Sequence, residues 1–189
     1  YQKDIGDAEQ LCEHLGIKSY EINIGNAAKA IRVAMGACGL VPSVQTKTNL
    51  PPRIRMATLF AVAQTCNGRV ANTCNFSEDF LGWNTLFGDS AGQFAPLAKL
   101  TATEVIKIAE VLNLPENLVH KAPADGLTDK SDEDNFGFTY DFLDIYIRTG
   151  YYGVDTATAA KIDSMHDRNK FKLAPMPHFD YYPEDPYRF

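Results

Sequence analysis

Between Gly68 and Leu100 the chain concentrates residue types that can hold a ligand: Thr73, the carboxylates Glu78 and Asp89, the sole tryptophan, Trp83, and a small-residue turn, Gly88-Asp89-Ser90-Ala91-Gly92. The pattern predicts a short strand, Arg69 to Asn72, opening into this loop. Strand ends that spill into glycine-bearing polar loops are where open α/β sheets bind ligands. Glu78 sits where it could meet a cation, though its position alone favours a solvated acid or the N-terminal complement of a short helix from Ser77 to Leu81. The glycine turn reads either as backbone N–H groups aimed at a phosphate or as an ordinary turn.

Two basic sets lie elsewhere. Arg53 and Arg55 follow Pro51-Pro52, which opens a helix because proline is tolerated in a first turn. Cations are disfavoured at a helix N-terminus, so these arginines are expected to face an anion or an acidic neighbour. His166 and His178 lie beside Arg168, Lys170 and Lys172, a cluster that holds an anion or complements its own helix end. The acidic run Asp129 to Asp134 reads as solvated surface or as metal ligands, and His14 and His120 as surface histidines.

Several elements must position these groups. Ala8, Leu11, Cys12 and Leu15 predict a helix ending at Gly16; Tyr20, Ile22 and Ile24 alternate as a strand; Asn26 to Ala37 is helical; Leu40 to Leu50 is a polar loop. Met56, Leu59, Phe60 and Ala63 form the buried face of the helix begun at Pro51. Thr101 and Glu104 make a capping box for a helix with Val105, Ile108, Ala109 and Leu112 on one face. Pro115 begins a short turn, and Lys121 to Asn135 is a loop holding Asp125, Asp129, Asp132, Glu133 and Asp134. Phe138, Phe142, Ile145 and Tyr146 share a helix face ending at Gly150. A last helix, Thr156 to Asn169, buries Ala159, Ile162 and Met165 before a Pro- and aromatic-rich tail, residues 173–189. The alternation predicts an α/β fold, a Rossmann-like parallel sheet with flanking helices, in one domain spanning residues 1–189.

With 189 residues, 45% of them apolar, a sizeable core is within reach. A net charge of −6, from 24 acidic and 18 basic residues, argues against nucleic-acid and anionic-membrane partners. No run approaches the roughly 18 apolar residues of a membrane span. Cys12, Cys38, Cys66 and Cys74 follow no metal or disulfide pattern and predict reduced thiols in a cytoplasmic setting.

Five blocks, taken together, resemble the ammonia-dependent NAD synthetases: Pro-Arg-Ile-Arg-Met (52–56), Arg-Val-Ala-Asn-Thr-Cys-Asn-Phe-Ser-Glu-Asp (69–79), Phe-Gly-Asp-Ser-Ala-Gly-Gln-Phe-Ala-Pro-Leu (87–97), Lys-Ala-Pro-Ala-Asp-Gly-Leu (121–127) and Asp-Glu-Asp-Asn-Phe-Gly-Phe-Thr-Tyr (132–140). The resemblance implies an adenine-nucleotide α-hydrolase fold and a homodimeric ligase. Such an enzyme adenylates deamido-NAD with ATP and Mg²⁺, then lets ammonia displace AMP. It implies that Arg53 contacts deamido-NAD, Thr73 contacts ATP, Glu78 binds magnesium, and His166 reaches the dinucleotide across the dimer. Gln93 falls at a substrate position where the family has Asp. Leu86, Ala102 and Asp167 stand where the family carries basic residues, and Ala124 where it carries a hydroxyl. The family's Ser-Gly-Gly-x-Asp-Ser phosphate loop is expected upstream of Tyr1, making the chain N-terminally incomplete and inactive alone. The alternatives are a non-catalytic relative kept for assembly or regulation, and a related ATP pyrophosphatase with another acyl acceptor.

Overall fold

Capping residues punctuate most of the chain, and the structure, a computed structural model, is helical accordingly. It describes residues 2–124, 130–150, 153 and 155–180; Asp125 and Asp129 of the acidic loop and residues 181–189 of the tail lie outside them. In order come α1 (Gln2–Leu15), α2 (Gly25–Ala37), α3 (Val44–Thr65), α4 (Phe76–Leu81), α5 (Ala102–Val111), α6 (Glu116–Val119), α7 (Asp132–Phe136), α8 (Tyr140–Thr149), α9 (Thr156–Asn169) and a 3-10 turn, Lys170–Lys172.

The strand expected over Arg69 to Asn72 is a single parallel bridge, Ala71 to Phe94, among the described residues. Gln93 N donates to Val70 O at 2.7 Å and Asn72 N to Phe94 O at 2.8 Å. Gly92 permits this approach: a Cβ there would lie 2.6 Å from Asn72 N. No sheet forms among the described residues. Tyr20 to Ile24 is not a strand either, since no strand pairs with it among the described residues; Tyr20 and Ile22 are exposed, and Ile24 stands at the N-cap position of α2. Alternation signals a strand only where a neighbour supplies ladder hydrogen bonds.

The helix expected to open at Pro51 begins at Val44, within the predicted loop. Ser43 caps it, its Oγ accepting from Thr46 N at 3.1 Å. That puts Pro51 and Pro52 inside the helix, where each removes one i→i−4 hydrogen bond, and puts Arg53 and Arg55 in its middle rather than its first turn. Their argument from the helix dipole therefore falls.

The core gathers Leu81 from α4, Phe136 from α7, Phe138, Tyr140 and Leu143 from α8 and its lead-in, and Ile162 from α9. Trp83 stands edge-on to Phe136 at 4.8 Å and Phe136 stacks on Phe138 at 5.4 Å, geometries that add to area burial. The buried residues of α8 are Tyr140, Leu143 and Asp144, so its inner face is turned away from the predicted Ile145, which is exposed. Asp144 hides this face from an apolar-periodicity reading. Its Oδ1 accepts from Ser77 Oγ, and its Oδ2 from Thr103 N at 2.8 Å; Ser77 Oγ in turn accepts from Ala102 N at 3.0 Å. One carboxylate thus joins α4, α5 and α8.

The predicted box at α5 is present, Thr101 N donating to Glu104 Oε2 at 2.8 Å, yet Ile108 and Leu112 of its predicted apolar face are exposed. The end of the acidic loop is ordered as α7 by a second box, Ser131 with Asp134.

Candidate functional site

The middle of α3, the segment after the Ala71 bridge, the end of α4 and the junction of α9 with the 3-10 turn enclose a cavity of about 980 Å³. The loop is pinned along α3 by Thr85 Oγ1 donating to Asn49 Oδ1 and Arg53 Nε donating to Leu86 O, each at 3.2 Å.

The lining is polarised. Arg53 and Arg55 come from α3, Arg168 from α9 and Lys172 from the 3-10 turn, while Glu78, Asp89 and Asp132 supply acid. Neither Arg55 nor Arg168 has an ion-pair partner among the described residues. Cations without carboxylates in a concave site are free to bind anionic ligand groups.

Thr73 lines the cavity at a turn built by Asn72, whose Oδ1 accepts from Cys74 N at 2.7 Å and whose Nδ2 donates to Ser90 O at 2.8 Å. Glu78 occupies the third position of α4 in a capping box with Asn75: Asn75 N donates to Glu78 Oε2 at 2.9 Å, and Glu78 N donates to Asn75 Oδ1 at 3.1 Å. The helix-capping role of Glu78 is therefore present, and it engages one carboxylate oxygen. Burial pushes the Glu78 carboxyl up to about 7; the Asn75 N–H opposes the rise, and Asp132, Asp79 and Asp89 add to it. A carboxylate so raised marks a place short of positive charge. No three His, Cys, Asp or Glu residues among those described are grouped to hold a metal. A single carboxylate joined by substrate phosphates is, however, how Mg²⁺ is commonly held, and Glu78 fits that part.

Asp132 is the residue that sequence reasoning misplaced. It is buried rather than solvated, accepting from Trp83 Nε1 at 3.1 Å and from Tyr140 OH at 3.2 Å. Those donors help make its burial tolerable, and nothing local announces them. The Gly88 to Gly92 segment is an ordinary turn: Gly88 N donates to Thr85 O at 2.8 Å, Ala91 N to Gly88 O at 3.1 Å, and Asp89 Oδ1 accepts from Thr85 N at 3.0 Å. Cys74 is buried, and burial, followed by the charges of Glu78 and Asp89, pushes its thiol up to about 12, which removes it as a nucleophile.

Arg53, Thr73 and Glu78, from three sequence blocks, meet in the cavity; Gln93 and His166 do not line it. Gln93 Oε1 accepts from Val70 N at 3.0 Å, closing the bridge. His166 stacks on Phe80 with ring centres 4.1 Å apart, its Nδ1–H donating to Phe80 O at 2.8 Å. Leu86 and Ala124 line the cavity, and Ala102 and Asp167 do not. Of the C-terminal basic cluster, Arg168 and Lys172 reach the cavity, Lys170 pairs with Asp167 at 2.9 Å, and His178 pairs with Asp180 at 2.9 Å.

A family model described as NAD synthase matches residues 1–176. The NH3-dependent NAD+ synthetase of Carboxydothermus hydrogenoformans is 32% identical over 177 residues, covering 93% of this chain and 73% of that protein. The enzyme of the same name from Thermococcus kodakarensis is 37% identical over 142 residues, covering 75% of this chain and 55% of that one. Among solved structures, the NMN synthetase of Francisella tularensis superposes with a TM-score of 0.85 at 34% identity, covering 95% of this chain and 74% of that chain. The chain therefore spans between about half and three quarters of these relatives.

Proposed function

The chain belongs to the NAD synthase family, a family of ligases, and on that premise we propose that its cavity forms the amide of NAD from deamido-NAD, ATP and ammonia. The observation that carries this reading is the polarised cavity, in which Arg53, Thr73 and Glu78 meet beside Arg55 and Arg168. Both substrates bear phosphates and need such cations.

In the reaction, the nicotinate carboxylate oxygen attacks the α-phosphorus of ATP and pyrophosphate leaves. Ammonia then attacks the acyl carbon, loses a proton, and AMP leaves. The cations hold the phosphates and stabilise the charge that develops as pyrophosphate departs. Thr73 offers a hydroxyl to ATP, and Arg53 an anion contact to deamido-NAD. Glu78 is the residue that would hold Mg²⁺, whose chemistry there is to neutralise phosphate oxygens. Trp83 and Leu86 give the cavity apolar surface that limits water, which competes with ammonia for the adenylate.

Residues 1–189 act in this reading as one unit with an appended tail, 173–189. Its setting is a reducing, cytoplasmic one, in keeping with four unpaired cysteines; no helix among the described residues is long and apolar enough to cross a membrane. The working form is a homodimer, which the exposed Ile31, Val33, Val41 and Val44 support as surface for a second copy.

The Francisella relative favours a second reading, in which the acyl substrate is nicotinate mononucleotide, since that protein is an NMN synthetase. One experiment separates them. The protein, given ATP, Mg²⁺, ammonium and either nucleotide, should form AMP and one amide product in equal amounts, with deamido-NAD preferred. Preference for the mononucleotide would install the second reading. Tight binding of both without AMP release would establish the non-catalytic alternative.

A further inference from the structure

α4 is six residues long, too short to be stable by its own hydrogen bonds. Its final carbonyls are met one after another by side chains of α9 and the 3-10 turn. His166 Nδ1–H donates to Phe80 O at 2.8 Å, Asn169 Nδ2 to Leu81 O at 2.9 Å, and Lys172 Nζ to Gly82 O at 2.7 Å and Asn84 O at 2.8 Å. Positions 166, 169 and 172 form one ridge with a three-residue step, reading successive carbonyls that a helix C-terminus leaves unpaired. The fit is close: Gly82 takes φ +66°, and a Cβ there would lie 2.2 Å from Asn169 Cβ. Glu78 sits on the opening turn of this same short helix, and Trp83 follows its end, with Trp83 N donating to Glu78 O at 2.8 Å.

We propose that His166, Asn169 and Lys172 are positioning residues: the ridge sets the height and roll of α4, and so the place of Glu78 in the cavity, with His166 acting through its Nδ1–H on Phe80 O rather than by touching a ligand. The proposal rests on the reading of Glu78 as the cation-holding group. It also accounts for the exclusion of His166 from the cavity lining and for a lysine that commits two of its three N–H donors to backbone carbonyls.

The test uses the two nitrogens of the imidazole. Asparagine at 166 presents an N–H near the Nδ1 position and glutamine one near Nε2. Mg²⁺ alone is titrated into the protein while the emission of Trp83, the only tryptophan, is followed. Amide exchange of residues 79–82 is measured in parallel. His166→Asn should keep the wild-type midpoint and protection. His166→Gln and Asn169→Asp should raise the Mg²⁺ midpoint roughly 10- to 100-fold, the usual cost of losing a group that orients a metal ligand, and speed exchange in α4 with the protein still folded. A tolerant His166→Gln alongside a damaged His166→Asn would overturn the proposal in favour of an Nε2 contact to ligand. Unchanged midpoint and exchange in every variant would overturn it as well. If the wild type shows no Mg²⁺ response, the Glu78 reading falls alone, and the exchange rates still judge the ridge.

Discussion

Glu78 does two jobs with opposite demands. Its capping box with Asn75 favours α4, while its burial among Asp132, Asp79 and Asp89 raises its carboxyl to about 7. A carboxyl raised on folding contributes full stability only below its unfolded value near 4.5, and that contribution is lost as pH climbs through 7. The cost to the metal-free protein above pH 7 is roughly 3 kcal/mol. Glutamine can serve in the same capping box without carrying charge. Glu78→Gln should therefore match the wild type in thermal stability at about pH 4 and exceed it at about pH 8 without Mg²⁺, and the cavity should lose its Mg²⁺ response. Calorimetry at the two pH values checks this; a wild type that is the more stable at pH 8 would refute it.

At the scale of elements, the joint of α4, α5 and α8 turns on Asp144. Three short helices with little buried surface of their own meet at one carboxylate, which accepts from Ser77 Oγ and Thr103 N. Asp144→Ala takes this partner from the buried Ser77 hydroxyl and the half-buried Thr103 N–H, at a cost of about 3 kcal/mol. Ser77→Ala should cost less, because Asp144 keeps its bond from Thr103. Urea unfolding of both variants measures the difference. Because Ser77 neighbours Glu78, Asp144→Ala should also weaken Mg²⁺ binding, which separates a loosened α4 from a general loss of packing. The ridge on α9 and this carboxylate hold the short helix from opposite ends.

For the whole molecule, the accessible surface is 13440 Å² at 20.9 kDa, against roughly 9,000 Å² for a compact chain of that mass. Among the described residues, half of the exposed large apolar side chains lie in the first third, where Val41 is 91% exposed, Val44 81% and Val33 63%. Apolar patches of this kind mark interaction surfaces, and the proposed homodimer covers them. Sedimentation velocity should report twice the chain mass, and Val33→Asp with Val41→Asp should shift the protein toward monomer without changing the Trp83 emission, since neither valine lines the cavity to which Trp83 belongs. A monomeric wild type across the micromolar range would remove the dimer from the proposal.

What the sequence determined by itself were features written over a few residues: the capping box Thr101 to Glu104, the helix end at Gly150, the burial of Ala159 and Ile162 along α9, and the five blocks whose order names the family. Capping, helical periodicity and motif spacing are local, so they survive without knowledge of the fold. The tertiary structure decided the rest. Ser43 starts α3 ahead of Pro51, its hydroxyl accepting from Thr46 N, and so places both prolines inside the helix. Asp132 and Asp144 are inside, because donors far away in sequence come to meet them. Gln93 is spent on the bridge and His166 on Phe80, while Arg168 and Lys172 turn to the cavity. Whether a polar side chain serves a ligand or a neighbouring backbone depends on which partners surround it, and those partners are long-range.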